Sequence, residues 1–186
     1  VDEAHCISEW GHDFRPEYMQ IGQVLQQLPE ARVLACTATA TPIVRDENLE
    51  RLGLPATTPQ HVHGFARPNL AFRVLETQVK AQRVSAIDEL LRDALTSPGN
   101  GRGTAIIYAP TRKATEEEAE RLRETGWGAA AYHAGLAGEL RARVQTAFAQ
   151  GQQEIVVATN AFGMGIDRSD VRCIGHLGPP GSVEAY

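Results

Sequence analysis

The 186-residue sequence predicts an α/β protein in which parallel sheets are covered by helices on both faces. Three observations lead there. Short apolar runs recur along the chain, and amphipathic stretches of helical length separate them. A content of 42% hydrophobic and 22% charged residues is that of an ordinary globular protein.

The elements follow in order. Arg32-Val33-Leu34-Ala35-Cys36 reads as a buried strand, as do Ala105–Tyr108, Ile155–Ala158 and Val171–Ile174. A helix is expected from Pro16 to Leu28, with proline at a tolerated first position. Thr41-Pro42, a capping residue and then proline, opens another towards Leu52. Val84, Ile87, Leu91 and Ala94 make one face of a third, which Ser97-Pro98-Gly99-Asn100-Gly101 stops. Ala114–Thr125 and Leu136–Ala149 complete the set.

Residues 57–64, rich in Thr, Pro, His and Gly, have no regular periodicity, and a boundary is expected near Gly64–Asn69. The expected domains are 1–66 and 67–186, with a fresh strand–helix series starting near Ala71. The first lacks upstream strands of its own, and the chain reads as a fragment: it opens on Val1, not Met, and ends as a helix begins at Ser182. No apolar run approaches the roughly 18–20 residues that span a bilayer, and no signal peptide is recognisable. Cys6, Cys36 and Cys173 are odd in number and far apart, which argues against a disulfide framework or a zinc ribbon and for a reducing, intracellular setting. A net charge of −5 argues against a protein that coats nucleic acid by overall basicity, but leaves local phosphate contacts open.

Val1-Asp2-Glu3-Ala4-His5 is the sharpest local signal. Phosphoryl chemistry on a nucleotide needs a hard cation held by carboxylate oxygen and a group that orients the attacking water. Two adjacent acids at the end of a buried strand supply both, Asp2 towards magnesium and Glu3 towards the water. The bland alternative is a surface Asp-Glu pair. The residues that follow decide between them. Cys6-Ile7-Ser8-Glu9-Trp10-Gly11-His12-Asp13-Phe14-Arg15-Pro16-Glu17-Tyr18 resembles the aromatic-rich loop that RecQ-family DNA helicases carry directly after their Asp-Glu-Ala-His motif. Trp10 and Phe14 could stack on unpaired bases while Arg15 meets phosphate, or the two rings could pack under the loop.

Further segments match the same family in order. Cys36-Thr37-Ala38-Thr39-Ala40-Thr41 resembles its Thr-Ala-Thr motif, in which Thr37 and Thr39 would couple the nucleotide site to the second motor domain and relay hydrogen bonds to His5, Thr41 being the helix cap. Phe65-Ala66-Arg67-Pro68-Asn69-Leu70 is similar to the segment crossing between motor domains, with Arg67 and Asn69 expected on DNA. Ile106–Lys113 looks like the opening of the second domain's nucleic-acid face; Thr111 and a helix N-terminus could hold phosphate, and Arg112 with Lys113 is either a contact or a solvated pair. In Ala131-Tyr132-His133-Ala134-Gly135-Leu136, His133 either contacts backbone or fixes the turn. Val156–Asp167 is the most specific downstream match. By resemblance Thr159 faces the DNA backbone, while Gly163, Gly165 and Asp167 face the nucleotide.

The resemblance implies two RecA-like lobes of the P-loop NTPase type, the first incomplete, that close on ATP and step along DNA. The implied parent is an ATP-dependent 3′–5′ DNA helicase or translocase with magnesium as cofactor, acting on single-stranded and partly duplex DNA in repair and recombination, with repair proteins as further partners. A bacterial cytoplasm, beside the nucleoid, is the expected location. No Gly-x-Gly-Lys-Ser/Thr loop occurs in the 186 residues, nor the family's final arginine motif, and His176–Gly181 lacks the acid the family often places near Gly178. The chain by itself is therefore expected to be nearly inactive. The competing expectations are a non-hydrolysing single-strand binder and an Asp-Glu-Ala-His RNA helicase; the Trp-Gly-His-Asp-Phe-Arg-Pro run speaks against the latter.

Overall fold

A computed structural model describes residues 1–10, 13–64, 67–163, 166 and 168–179. The chain divides into two compact units, one holding Val1–Ala71 and the other starting at Phe72. The sequence boundary was placed at 66/67.

In the first unit a 3₁₀ turn over Ala4–Ile7 is followed by a second over Pro16–Gln20, which runs into helix α1, Ile21–Gln26. Helix α2 spans Pro42–Arg51, and Thr41 caps it by accepting a hydrogen bond from the Val44 amide at 3.4 Å. Ala4, Ile7 and Leu52 form a small buried core with Ile21, Leu25 and Val33 packed around it. Gly22 is where α1 meets α2. A β-carbon there would lie 2.2 Å from the Arg51 carbonyl oxygen, so only glycine lets the two backbones approach.

Two expectations for this unit are corrected. Arg32–Cys36 is extended but is neither buried nor a sheet strand: Leu34 is 75% exposed. Its backbone bonds run to the N-terminal residues, from the Cys36 amide to Val1 O at 2.9 Å and from the Ala4 amide to Cys36 O at 2.9 Å. So short a ladder on one side covers neither face, and burial needs both. Asp2 and Glu3 accordingly sit at the mouth of a 3₁₀ turn and not at the end of a buried strand.

The second unit is the α/β structure. Helix α3 (Lys80–Leu95) leads to β1 (Thr104–Tyr108), α4 (Arg112–Glu124), β2 (Ala129–Tyr132), α5 (Gly138–Ala149), β3 (Ile155–Ala158) and β4 (Val171–His176). The strands form one parallel sheet in the order β2-β3-β1-β4. Alternation along buried strands divides the core in two. Ala105, Ile107, Ile155 and Val157 point to one face, where Leu91 and Leu95 of α3 and Leu122 of α4 cover them. Ile106, Val156 and Ala158 point to the other, against Val144 and Phe148 of α5. Phe162 closes this side by edge-on contacts with Tyr132 and Phe148, ring centroids 4.8 and 5.6 Å apart.

Strand β2 was not anticipated, because Ala129-Ala130-Ala131 has no β-branched residue; its place beside β3 holds it extended. The strand expected soon after Ala71 is not formed among the described residues, and α3 starts four residues before its first apolar face residue, Val84. Gln82 Oε1 accepts from the Gln78 and Val79 amides and fixes that earlier start. No helix among the described residues is long and apolar enough to cross a membrane.

Gly22→Ala is expected to push α1 off α2 and to cost about 1–3 kcal/mol, as overpacking does. Urea denaturation followed by Trp10 fluorescence should show a lower midpoint; an unchanged curve would mean the helices are not in this contact.

Candidate functional site

Glu3 is the geometric centre of the first unit's site. Its φ of +48° and ψ of +46° are left-handed, a conformation that few residues other than glycine adopt. The amide of Glu3 donates to Asp2 Oδ1 at 2.9 Å, which holds the two acids as a pair open to solvent. The turn swings the Glu3 carboxylate over His5, with Oε2 3.3 Å from Nδ1. His5 itself is only 4% exposed.

Thr37 stands on the other side of the same nitrogen, with Oγ1 2.8 Å from His5 Nδ1. That hydroxyl also accepts from the Thr39 amide at 3.1 Å and donates towards Thr39 O at 3.4 Å. Thr37 Oγ1 and Glu3 Oε2 thus both face Nδ1, so an Nδ1–H has two oxygen atoms able to accept it. Asp2, Glu3, His5, Thr37 and Thr39 are thus brought together in one hydrogen-bonded cluster.

The loop after His5 is tied to this cluster by its backbone and its polar side chains. The Arg15 amide donates to Cys6 O at 2.9 Å, and the Cys6 thiol donates to Asp13 Oδ2 at 3.8 Å while lying 3.6 Å from His5 Nε2. Ser8 Oγ donates to Glu47 Oε2 at 2.5 Å and accepts from the Trp10 amide at 3.1 Å. Arg51 joins Glu47 to Glu9. Burial pushes the Cys6 thiol up from its ordinary range, against the pull of Arg15. Asp13 is held below the usual carboxylate range by its hydrogen bond from Arg15.

Anchored so, the loop turns its rings outward. Trp10 is 77% exposed and Phe14 37%. Trp10 does not pack under the loop, and Phe14 is partly covered. Trp10 borders an open cleft of about 780 Å³ with Met19, Ile43, Glu50 and Arg51. Arg15, Arg67 and Asn69 are exposed as well.

In the second unit the candidates gather at the carboxyl edge of the sheet, the end where open α/β sheets bind ligands. Thr111 and Arg112 follow β1, His133 follows β2 and Thr159 follows β3. The Thr159 amide donates to Tyr132 O at 3.2 Å, and a β-carbon on Gly135 would meet Arg112 Nη1 at 2.9 Å. Adjacent strand ends therefore place these residues side by side. Thr111 Oγ1 accepts from the Ala114 amide at 3.1 Å, so it caps α4. His133 is turned inward: it is 3% exposed, and its Nε2 lies 3.1 Å from Glu116. That placement seats the ring within the turn, beside Glu116 of α4. Gly163 has a φ of +140°, and a β-carbon there would strike Tyr108 Oη at 2.8 Å, where the phenol donates to Phe162 O. Gly165 and Asp167 lie outside the described residues.

Reasoning from residues alone missed Cys6, Asp13, Glu47 and Glu116. Ser8 and Glu47 are 39 positions apart and belong to no common motif, so no spacing could have paired them. Cys6 was legible only as an unpaired thiol.

The fold has a counterpart among solved structures. Saccharomyces cerevisiae Dbp5 bound to RNA and ADP BeF3 is similar over 98% of this chain and 44% of its own, with a TM-score of 0.71 at 20% identity. The two share a fold. Residues 82–186 match the helicase conserved C-terminal domain, and the chain belongs to that family. Along its full length the sequence is similar to bacterial proteins of the RecQ and RecS names. It is 41% identical over 186 residues to the ATP-dependent DNA helicase RecQ of Haemophilus influenzae, and 38% identical over 187 residues to the probable ATP-dependent DNA helicase RecS of Bacillus subtilis. The chain covers 28% and 36% of those two proteins' lengths.

Thr37→Val keeps the shape of the side chain and removes one acceptor for His5 Nδ1. Two-bond ¹H–¹⁵N spectra of the imidazole should show a smaller population of the Nδ1–H tautomer; an unaltered His5 spectrum would exclude the Thr37 bond.

Proposed function

We propose that the protein to which this chain belongs is an ATP- and magnesium-dependent DNA helicase that translocates 3′ to 5′ along single-stranded DNA, acts on partly duplex substrates in repair and recombination, and works in the bacterial cytoplasm. One observation carries the reading most: the Glu3 carboxylate is seated over a buried, threonine-anchored His5 in an Asp-Glu-Ala-His motif. The donor set fits the cofactor, because magnesium takes hard oxygen ligands, one or two of them carboxylates, with water and phosphate completing the shell. Asp2 would hold the ion, which when bound with the nucleotide neutralises phosphate charge. Glu3 orients the water that attacks. His5, pinned by Thr37, keeps the Glu3 carboxylate aimed.

The exposed Trp10 and Phe14 are the surface on which bases would stack, each stack contributing about 1–3 kcal/mol. Arg15, Arg67, Asn69, Arg112 and Thr159 supply contacts to the strand. The loop's tether to the catalytic motif, from Arg15 to Cys6 O and from Cys6 to Asp13, is a route by which bound DNA can alter the water-orienting group.

Two substitutions in the intact parent test this. Glu3→Gln should leave ATP binding in place and lower hydrolysis at least about 10²-fold, as loss of an acid–base group does. Trp10→Ala should lower DNA-stimulated phosphate release more than basal release. Equal basal and stimulated losses for Trp10→Ala would remove the stacking role, and normal turnover for Glu3→Gln would sink the catalytic assignment.

A further inference from the structure

We propose that His5, Cys6 and Asp13 form a binding site for a borderline-soft divalent cation of the zinc type, set between the catalytic motif and the loop that follows it. A ring nitrogen, a thiol sulfur and a carboxylate oxygen, one from each of the three, all lie within 4.8 Å of one another. The individual separations are 3.6 Å from Cys6 Sγ to His5 Nε2 and 3.8 Å from Cys6 Sγ to Asp13 Oδ2. Zinc bonds of about 2.3 Å to sulfur and 2.0–2.2 Å to nitrogen or oxygen give a tetrahedral shell edges of roughly 3.5 Å, so the two edges at Cys6 Sγ are within a few tenths of an ångström of that geometry. Nitrogen, sulfur and oxygen together suit zinc or cobalt and not magnesium, which takes oxygen alone.

The outer shell is a second, independent observation. A metal-bound histidine usually donates its other ring N–H to a carboxylate or another oxygen acceptor, which fixes the tautomer and the ring plane. His5 Nδ1 lies 2.8 Å from Thr37 Oγ1 and 3.3 Å from Glu3 Oε2, oxygens placed to accept from it, while Nε2 is the nitrogen on the side of Cys6. His5 and Cys6 are buried, while the Asp13 side chain is 47% exposed, which gives the ion a way in and solvent access for a fourth ligand. Arg15 Nε donates to Asp13 Oδ2 at 3.1 Å and balances its charge; a dication at the site takes over that role. On binding, the Cys6 S–H bond breaks, a metal–thiolate bond forms and the proton passes to solvent. The cation then clamps residue 13 to the Asp-Glu-Ala-His motif. The site does not depend on the motor reading.

The test is a cobalt(II) titration of the 186-residue chain, followed by zinc displacement. One equivalent should give a thiolate-to-cobalt charge-transfer band in the near ultraviolet with d–d bands of tetrahedral intensity, and zinc should abolish both. Cys6→Ser should lose the charge-transfer band, and Asp13→Asn should weaken binding at least about tenfold, with folding of each checked by circular dichroism. Cys36→Ser and Cys173→Ser should bind like the parent chain. No charge-transfer band at saturating cobalt, or a band that survives Cys6→Ser, overturns the proposal. Should Cys6→Ser fail to fold, unchanged affinity in Asp13→Asn, a substitution at a half-exposed side chain, overturns it alone.

Discussion

Backbone polarity inside a parallel sheet is the constraint from which the rest of the second unit follows. Ile155, Val156, Val157 and Ala158 are all fully buried, so their N–H and C=O groups have only neighbouring strands to bond. Pairing with β1 and β2 satisfies them, and both faces must then be roofed by helices. Parallel strands also force every connection to cross back, so the turns that follow β1, β2 and β3 emerge on one edge. Thr111, Arg112, His133 and Thr159 are neighbours because of that connectivity. Nothing in their sequence spacing alone would bring them together.

The first unit is organised differently. Its order comes from side chains that bond one another across a few turns: Thr37 to His5, Ser8 to Glu47, Cys6 to Asp13. Buried polar groups of this kind are costly when left unpartnered, and each partner here is contributed by a segment distant from, or looped back upon, the motif. The cluster therefore joins catalytic acids, coupling threonines and an aromatic loop into one network.

What was legible in the sequence follows this division. Helices α2, α4 and α5 were readable because apolar spacing and caps are local, as were β1, β3 and β4 with their runs of branched residues. Strand β2 was not, since its three alanines are extended only by virtue of β3. Arg32–Cys36 has the composition of a buried strand, yet Leu34 is 75% exposed, because composition does not state whether anything lies across it. Among site residues, motif order identified Glu3, His5 and Thr37 as belonging together. The inward turn of His133 was invisible, for it depends on Glu116 arriving from α4. Cys6 and Asp13 were equally silent, being a thiol and a carboxylate seven positions apart whose meeting is decided by the course of the loop.

Glu3 holds a backbone conformation that costs an ordinary residue roughly 1–2 kcal/mol. Glycine or asparagine would adopt it with less strain. A laboratory selection for thermal stability alone would therefore favour discarding this carboxylate, and selection for turnover would restore it. The position records a trade between robustness and chemistry, settled here on the side of chemistry.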